Sequence, residues 1–283
     1  FPAIVGILCC SCNERSAWDT IQMQEDVTGE VAIGRYIVRT YLDTEHDGGS
    51  WEILADGCRV LAGEGWRFGI GRMWEEPVDE HPERLIGRDI NGDGVPEVVL
   101  YEWTGGAHCC FVARVVSLGQ KCRVLAEIHG RHGVPQFEDR DGDGIMEVCV
   151  YDWTFEYWPG CFADCPAPQV VLCWRDGRYV ADAALTATAA PPLSQVRAEA
   201  ERIRLEGWVG DNPPPLLFRT ALDLMYGGHE ELGWQFIGWA WRADVTPDPD
   251  RLSELSELLA RSPHWRELQR QRRAAACRPV SIP

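Results

Sequence analysis

Asp89, Asn91, Asp93 and Glu97 occupy positions 1, 3, 5 and 9 of the stretch Asp89-Ile90-Asn91-Gly92-Asp93-Gly94-Val95-Pro96-Glu97. The pattern returns fifty residues later as Asp139-Arg140-Asp141-Gly142-Asp143-Gly144-Ile145-Met146-Glu147. This is the donor set a hard cation needs. Calcium takes six to eight oxygen ligands, and a glycine at position 6 lets the chain turn sharply enough to aim them at one point. An EF-hand would place its bidentate Glu at position 12, between two helices. Here position 12 is Leu100 or Val150, and the closing carboxylate comes at position 9. Each copy runs into a β-branched and aromatic segment, residues 98–104 and 148–154, whose composition favours strands. The plain alternative is a pair of Asp/Gly-rich hairpin turns that bind nothing. Turn chemistry needs Asp-Gly once per turn, and four oxygen donors in register twice exceed that need.

The spacing resembles the Asp-x-Asn-x-Asp-Gly-x-x-Asp/Glu loops of FG-GAP and VCBS repeats, which occur in integrin-type β-propellers and many bacterial surface proteins. The resemblance covers residues 85–180. It implies one calcium ion per loop, two in all, with the backbone carbonyl at position 7 as a further ligand. The implied ligand sets are Asp89, Asn91, Asp93, Glu97 and the Val95 carbonyl, and Asp139, Asp141, Asp143, Glu147 and the Ile145 carbonyl. The segment Asp26-Val27-Thr28-Gly29-Glu30 is a candidate decayed counterpart. Three further blocks, Trp66–Gly71, Trp103–Cys110 and Trp153–Phe155, look like a group of uncharacterised bacterial exported proteins. That likeness implies a class and no reaction.

Elements that would position these loops are legible as hairpins. Cys58-Arg59-Val60-Leu61-Ala62 returns as Cys122-Arg123-Val124-Leu125-Ala126, and Trp174–Val180 is a looser third copy. Each follows an apolar segment, and strand, polar turn, strand is a hairpin signature. Three β units are therefore expected, at 30–80, 86–130 and 137–185. A closed propeller typically needs four to eight blades. A partial-propeller or sandwich-like arrangement fits the length. The expected division is a leader or anchor segment over 1–25, a mainly β repeat domain over 26–185, a linker over 186–193 and a small α-helical C-terminal domain over 194–283. Ser194 is suited to cap its first helix, Pro213-Pro214-Pro215 to open a second, and Asp250 to start the last. Trp208, Trp234, Trp239, Trp241 and Trp265 carry more apolar surface than short helices cover among themselves, so these helices are expected to dock.

Of 283 residues, 44 are acidic and 27 basic, a net charge of −17. The half that carries the loops, residues 1–185, holds 31 acidic and 15 basic residues. No basic stripe is available to neutralise phosphates, which argues against nucleic acid as a partner. Twelve cysteines favour an exported protein with disulfides, expected mainly between Cys58 and Cys173. The apolar run Phe1–Leu8 looks like the end of a signal peptide's hydrophobic region, with Cys12, or else Cys10, as a possible lipid-anchor site. No later stretch approaches the ~18 apolar residues of a membrane span. His108 beside Cys109-Cys110 pairs a nucleophile with a base in sequence only, and strand neighbours point to opposite faces. Disulfide bonding and a tight turn are the simpler expectation there, with metal binding by Cys161 and Cys165 the other. The repeat-equivalent Trp103 and Trp153 read as core residues, and Phe155–Gly160 could present aromatics to a glycan or protein partner.

The leading functional reading is a non-enzymatic, calcium-binding protein of the periplasm, cell envelope or extracellular space, acting in adhesion, scaffolding or recognition. The alternative is a secreted or periplasmic hydrolase whose calcium is structural and whose active site is assembled from dispersed residues.

Overall fold

The computed structural model describes residues 6–7, 26–43, 48–73, 82–106, 109–246 and 249–276. The Cys10 and Cys12 anchor candidates lie outside them. The described chain builds three antiparallel sheets followed by a helical region of about six helices. It falls into two compact units, one of residues 1–148 and 174–179, the other of 149–173 and 180–283.

The first sheet holds β1 (Gly6–Ile7), β2 (Asp26–Ile33), β3 (Tyr36–Asp43), β4 (Gly48–Ala55) and β5 (Cys58–Gly65), in the order β1-β5-β4-β3-β2. Its β4–β5 hairpin turns through Asp56 and Gly57 at φ 49° and 80°. Two left-handed residues in succession match the twist of the flanking strands, which is why Asp-Gly sits there. The segment Asp26–Glu30 is the start of strand β2, not a metal loop: its residues pair with β3.

The second sheet holds β6 (Arg67–Ile70), β7 (Ile86–Arg88), β8 (Glu97–Trp103), β9 (Phe111–Ser117) and β10 (Arg123–Arg131), ordered β10-β9-β8-β6 with β7 also paired to β8. The core of this unit lies between the first two sheets. Val38, Trp51, Ile53 and Leu61 of the first pack with Phe68, Val98, Leu100 and Val116 of the second. β8 is buried on both faces, and its alternate residue Tyr101 turns the other way, edge-on to Phe137 at 6.4 Å. Phe137 meets Tyr179 in the same manner at 6.2 Å. The third sheet orders β11 (Gln136–Glu138), β12 (Glu147–Tyr151), β13 (Gln169–Arg175) and β14 (Arg178–Ala181) in sequence. Asp176 and Gly177 make its last hairpin turn at φ 51° and 77°, repeating the Asp56-Gly57 solution.

In the second unit, α1 (Ala183–Thr186) is capped by Asp182, which accepts from the Ala184 and Leu185 amides at 2.8 and 2.9 Å. There follow α2 (Leu193–Glu206), α3 (Pro215–Tyr226), α4 (Glu230–Ala240), α5 (Pro249–Arg261) and α6 (Pro263–Ala276). Ser194 lies inside α2 and does not cap it, because the helix starts one residue earlier, after Pro192. Pro215 does open α3 as the first helical residue. The helices pack on residues 152–158 of the same unit. Trp158 lies 4.7 Å from Phe218 and donates to Glu254, and Phe155 meets Tyr226 edge-on. Among the described residues no helix is long and apolar enough to cross a membrane.

Candidate metal centre

The two acidic stretches are the connections of equivalent strand pairs, β7 to β8 and β11 to β12. Both fold around one hydrogen-bond scheme. In the first, Asp89 Oδ1 accepts from the Gly92 amide at 2.7 Å and the Asp93 amide at 3.1 Å, and its Oδ2 from Gly94 at 2.7 Å. Asn91 Oδ1 accepts from Asp93 at 2.9 Å, and Asp93 Oδ1 from Val95 at 2.9 Å. In the second, Asp139 accepts from Gly142 and Gly144, Asp141 from Asp143, and Asp143 from Ile145, at 2.8 to 3.2 Å. Side chains at positions 1, 3 and 5 thus fold back on the chain's own amides. The glycines at positions 4 and 6 stand at φ 78° to 89° in both copies, a region costly for other residues.

The carboxylate at position 9 closes each loop from beneath. Glu97 Oε2 accepts from the Ile90 amide at 3.0 Å, and Glu147 Oε2 from the Arg140 amide at 2.9 Å. Both side chains are buried, Glu97 completely. Glu97 Oε1 has no hydrogen-bond partner among the described residues. A buried, unpaired carboxylate oxygen is costly unless a cation or proton satisfies it. Burial pushes the Glu97 carboxyl up to about 7, against the pull of the Ile90 amide and with a smaller push from Asp93 and Asp89. Glu147 is shifted the same way, by burial first and then by Asp141, Asp143 and Asp139.

In the second loop one oxygen each from Asp139, Asp141 and Glu147 lies within 4.8 Å of the others. Asp143 stands outside that trio, its Oδ1 held by the Ile145 amide. In the first loop the residue matching Asp141 is Asn91, an amide rather than a carboxylate. There Asp93 Oδ2 is 3.4 Å from Asn91 Nδ2, which donates to it. The donor chemistry fits a hard cation: oxygen atoms, paired carboxylates and one orphaned buried oxygen.

The other candidates resolve differently. Cys109 and Cys110 are bonded to each other, and Ala107 and His108 lie outside the described residues. Cys161 donates to Asp164 Oδ2 at 3.3 Å and Cys165 to the Phe162 carbonyl at 3.1 Å. Trp103 is half-buried against Trp66, 6.4 Å between ring centroids, and Trp153 has left the strand for a 3-10 turn.

Sequence reasoning passed over two buried carboxylates at one repeat position. Glu102, thirteen residues after Asp89, lies 2.6 Å from the buried Arg114, which also donates to Glu127 at 2.8 Å. Asp152, thirteen residues after Asp139, accepts from the Thr154 amide and hydroxyl and from Tyr226 at 2.7 Å, and from Ser262. Ser262 in turn accepts from the Trp265 amide and so caps α6. The signal available was a Glu/Asp within an otherwise apolar segment. No family model, no curated protein and no solved structure matches this chain.

Proposed function

We propose that the chain is a calcium-stabilised β-repeat protein of FG-GAP/VCBS-like type, exported to the periplasm, cell envelope or outside, and acting without catalysis in adhesion, scaffolding or recognition. One observation carries the metal reading. Two loops repeat a single hydrogen-bond scheme, and in the first the closing carboxylate keeps a buried oxygen with no partner among the described residues. Asp89, Asn91, Asp93 and Glu97 would hold one ion, and Asp139, Asp141, Asp143 and Glu147 the other, with the Val95 and Ile145 carbonyls beside them. The ions would neutralise clustered negative charge and fix where β8 and β12 begin. Three antiparallel sheets in chain order, two of five strands and one of four, the first two sharing a core, are compatible with a partial-propeller or sandwich-like architecture.

The buried Ser262, Asp152 and Tyr226 do not favour a hydrolase. Ser262 has no accessible surface and its hydroxyl is committed to capping. The partner of the exported protein would be a protein or glycan.

Calorimetric titration of the full chain with calcium should show two ions bound. At a hundredfold excess over the dissociation constant each site contributes about 2.7 kcal/mol. Chelation should therefore lower Tm by on the order of 5–10 °C per site. Asp93→Ala and Asp143→Ala should each remove part of that shift. A melting curve that chelator does not move would overturn the reading.

A further inference from the structure

The two loops touch. The Met146 amide donates to the Ile90 carbonyl at 2.8 Å. Ile90 is position 2 of the first loop and is fully buried; Met146 is position 8 of the second. Alongside, Gly92 faces Ile145 so closely that a Cβ on it would lie 2.8 Å from Ile145 Cδ1.

From this contact we infer that the loops bind their cations as a coupled pair, filling of either one raising the affinity of the other. The inference rests on the metal reading above and adds to it. The path runs through two residues. The Ile145 carbonyl, a ligand in that reading, and the Met146 amide belong to one peptide group. A cation drawing on the carbonyl polarises the amide and strengthens its bond to Ile90. Ile90 in turn donates its own amide to Glu97 Oε2, the carboxylate that closes the first loop. Ordering the exit of one loop therefore orders the floor of the other. Thermodynamic linkage makes the effect equal in both directions.

The repeat itself shows that this contact is directional. The position equivalent to Met146 in the first loop is Pro96, which has no amide hydrogen to donate. Residues 1–88 contain no intact acidic loop of this pattern.

The test is calcium titration of the full chain, by calorimetry and by competition with a chromophoric chelator, on wild type, Asp93→Ala, Asp143→Ala and Met146→Pro. One hydrogen bond exchanged on binding corresponds to a change of roughly three- to tenfold in affinity. Each single-loop knockout should therefore weaken the surviving site by that factor, and by the same factor in both directions. Met146→Pro copies the residue already accommodated in the first loop. It should still bind two ions, now independently. Wild type binding two ions while each surviving site keeps its wild-type affinity overturns the coupling and leaves the metal reading intact. Undiminished coupling in Met146→Pro overturns the assigned path. Absence of calcium binding by wild type removes the metal reading itself. If either alanine variant fails to fold by circular dichroism, wild type against Met146→Pro decides alone.

Discussion

Glu97→Gln should stabilise the calcium-free protein at pH 8 while abolishing its first calcium site. The Glu97 side chain is fully buried, and its carboxyl is pushed from its ordinary 4.5 to about 7, chiefly by burial. Between those values the folded chain holds a proton that the unfolded chain releases. Stability of the calcium-free protein must then fall as pH rises from 4.5 and level off above 7. Unscreened, a shift of that size would be worth about 3 kcal/mol. Water and salt reach the exposed Asp89 and Asp93, so about 1–2 kcal/mol is the better expectation. Calcium reverses the sign, because a coordinating carboxylate must be deprotonated and affinity rises through the same window. Glutamine keeps an oxygen for the Ile90 amide and never ionises. In chelator the variant should match wild type near pH 5 and exceed it by about 1–2 kcal/mol at pH 8. In calcium it should lose the stabilisation from the first loop. Urea unfolding at pH 5, 6, 7 and 8, with chelator and with millimolar calcium, reads all four quantities. A variant no more stable than wild type at pH 8 in chelator, with an unchanged pH slope, would refute the argument. Glu147, shifted in the same direction, should leave a residual slope of the same sign.

The equivalent position in each repeat yields two further predictions. Asp152→Ala should cost about 3–5 kcal/mol, since it strands buried donors on Thr154, Tyr226 and Ser262 together; Ser262→Ala, which removes one donor and the α6 cap, should cost about 1–2 kcal/mol. Unfolding followed by helical circular dichroism checks both, and equal losses for the two would contradict the assignment of Asp152 as the shared acceptor. Arg114→Ala should cost about 3–5 kcal/mol because Glu102 is left buried without its counter-charge. Replacing Glu102 with Gln in the same variant should recover part of that loss, and a double variant as unstable as the single would argue that packing of the Arg114 stem, not charge, is what matters.

What the sequence made legible was local. The loops, the Asp56-Gly57 and Asp176-Gly177 turns and the helices opening near residues 193, 215 and 249 all rest on hydrogen bonds or propensities within a few residues; three sheets are present, but β6, inside the expected first unit, pairs with β8 in the second. Position 1 of each loop accepts from positions 4 and 6, so a reader of nine residues sees the whole arrangement. The misses share a cause. Ser194 looked like a cap because serine commonly is one, yet Pro192 starts the helix earlier. Trp265 stands out in the sequence as a docking aromatic, but the polar, arginine-rich composition around it does not mark α6 as a separate helix, and Leu268 is its other buried anchor. The composition of residues 148–154 favours a strand through Trp153, but a 3-10 turn capped by Asp152 takes Trp153 out of it.

The two copies therefore differ most where their partners come from far along the chain. At the loops the side chains that accept from the amides stand at the same positions in both, and the sequences stay parallel. Thirteen residues on, the buried acid must be satisfied by whatever packs above it. In the first copy that is Arg114, on the adjacent strand of the same sheet, and the acid is a Glu long enough to reach it. In the second it is a hydroxyl pair on Tyr226 and Ser262, 74 and 110 residues away, and the acid is the shorter Asp, with its other oxygen turned back on Thr154. Glu against Asp at matched positions thus marks a change of partner, ion pair to hydroxyl network. Exchanging the two acids, Glu102→Asp and Asp152→Glu, tests this directly. The shorter acid would stop short of Arg114 and the longer one would overfill the site beside Ser262. Each should destabilise by about 1–3 kcal/mol although charge is unchanged. Silent exchange at both positions would mean that the buried charge alone matters and that the repeats are interchangeable there.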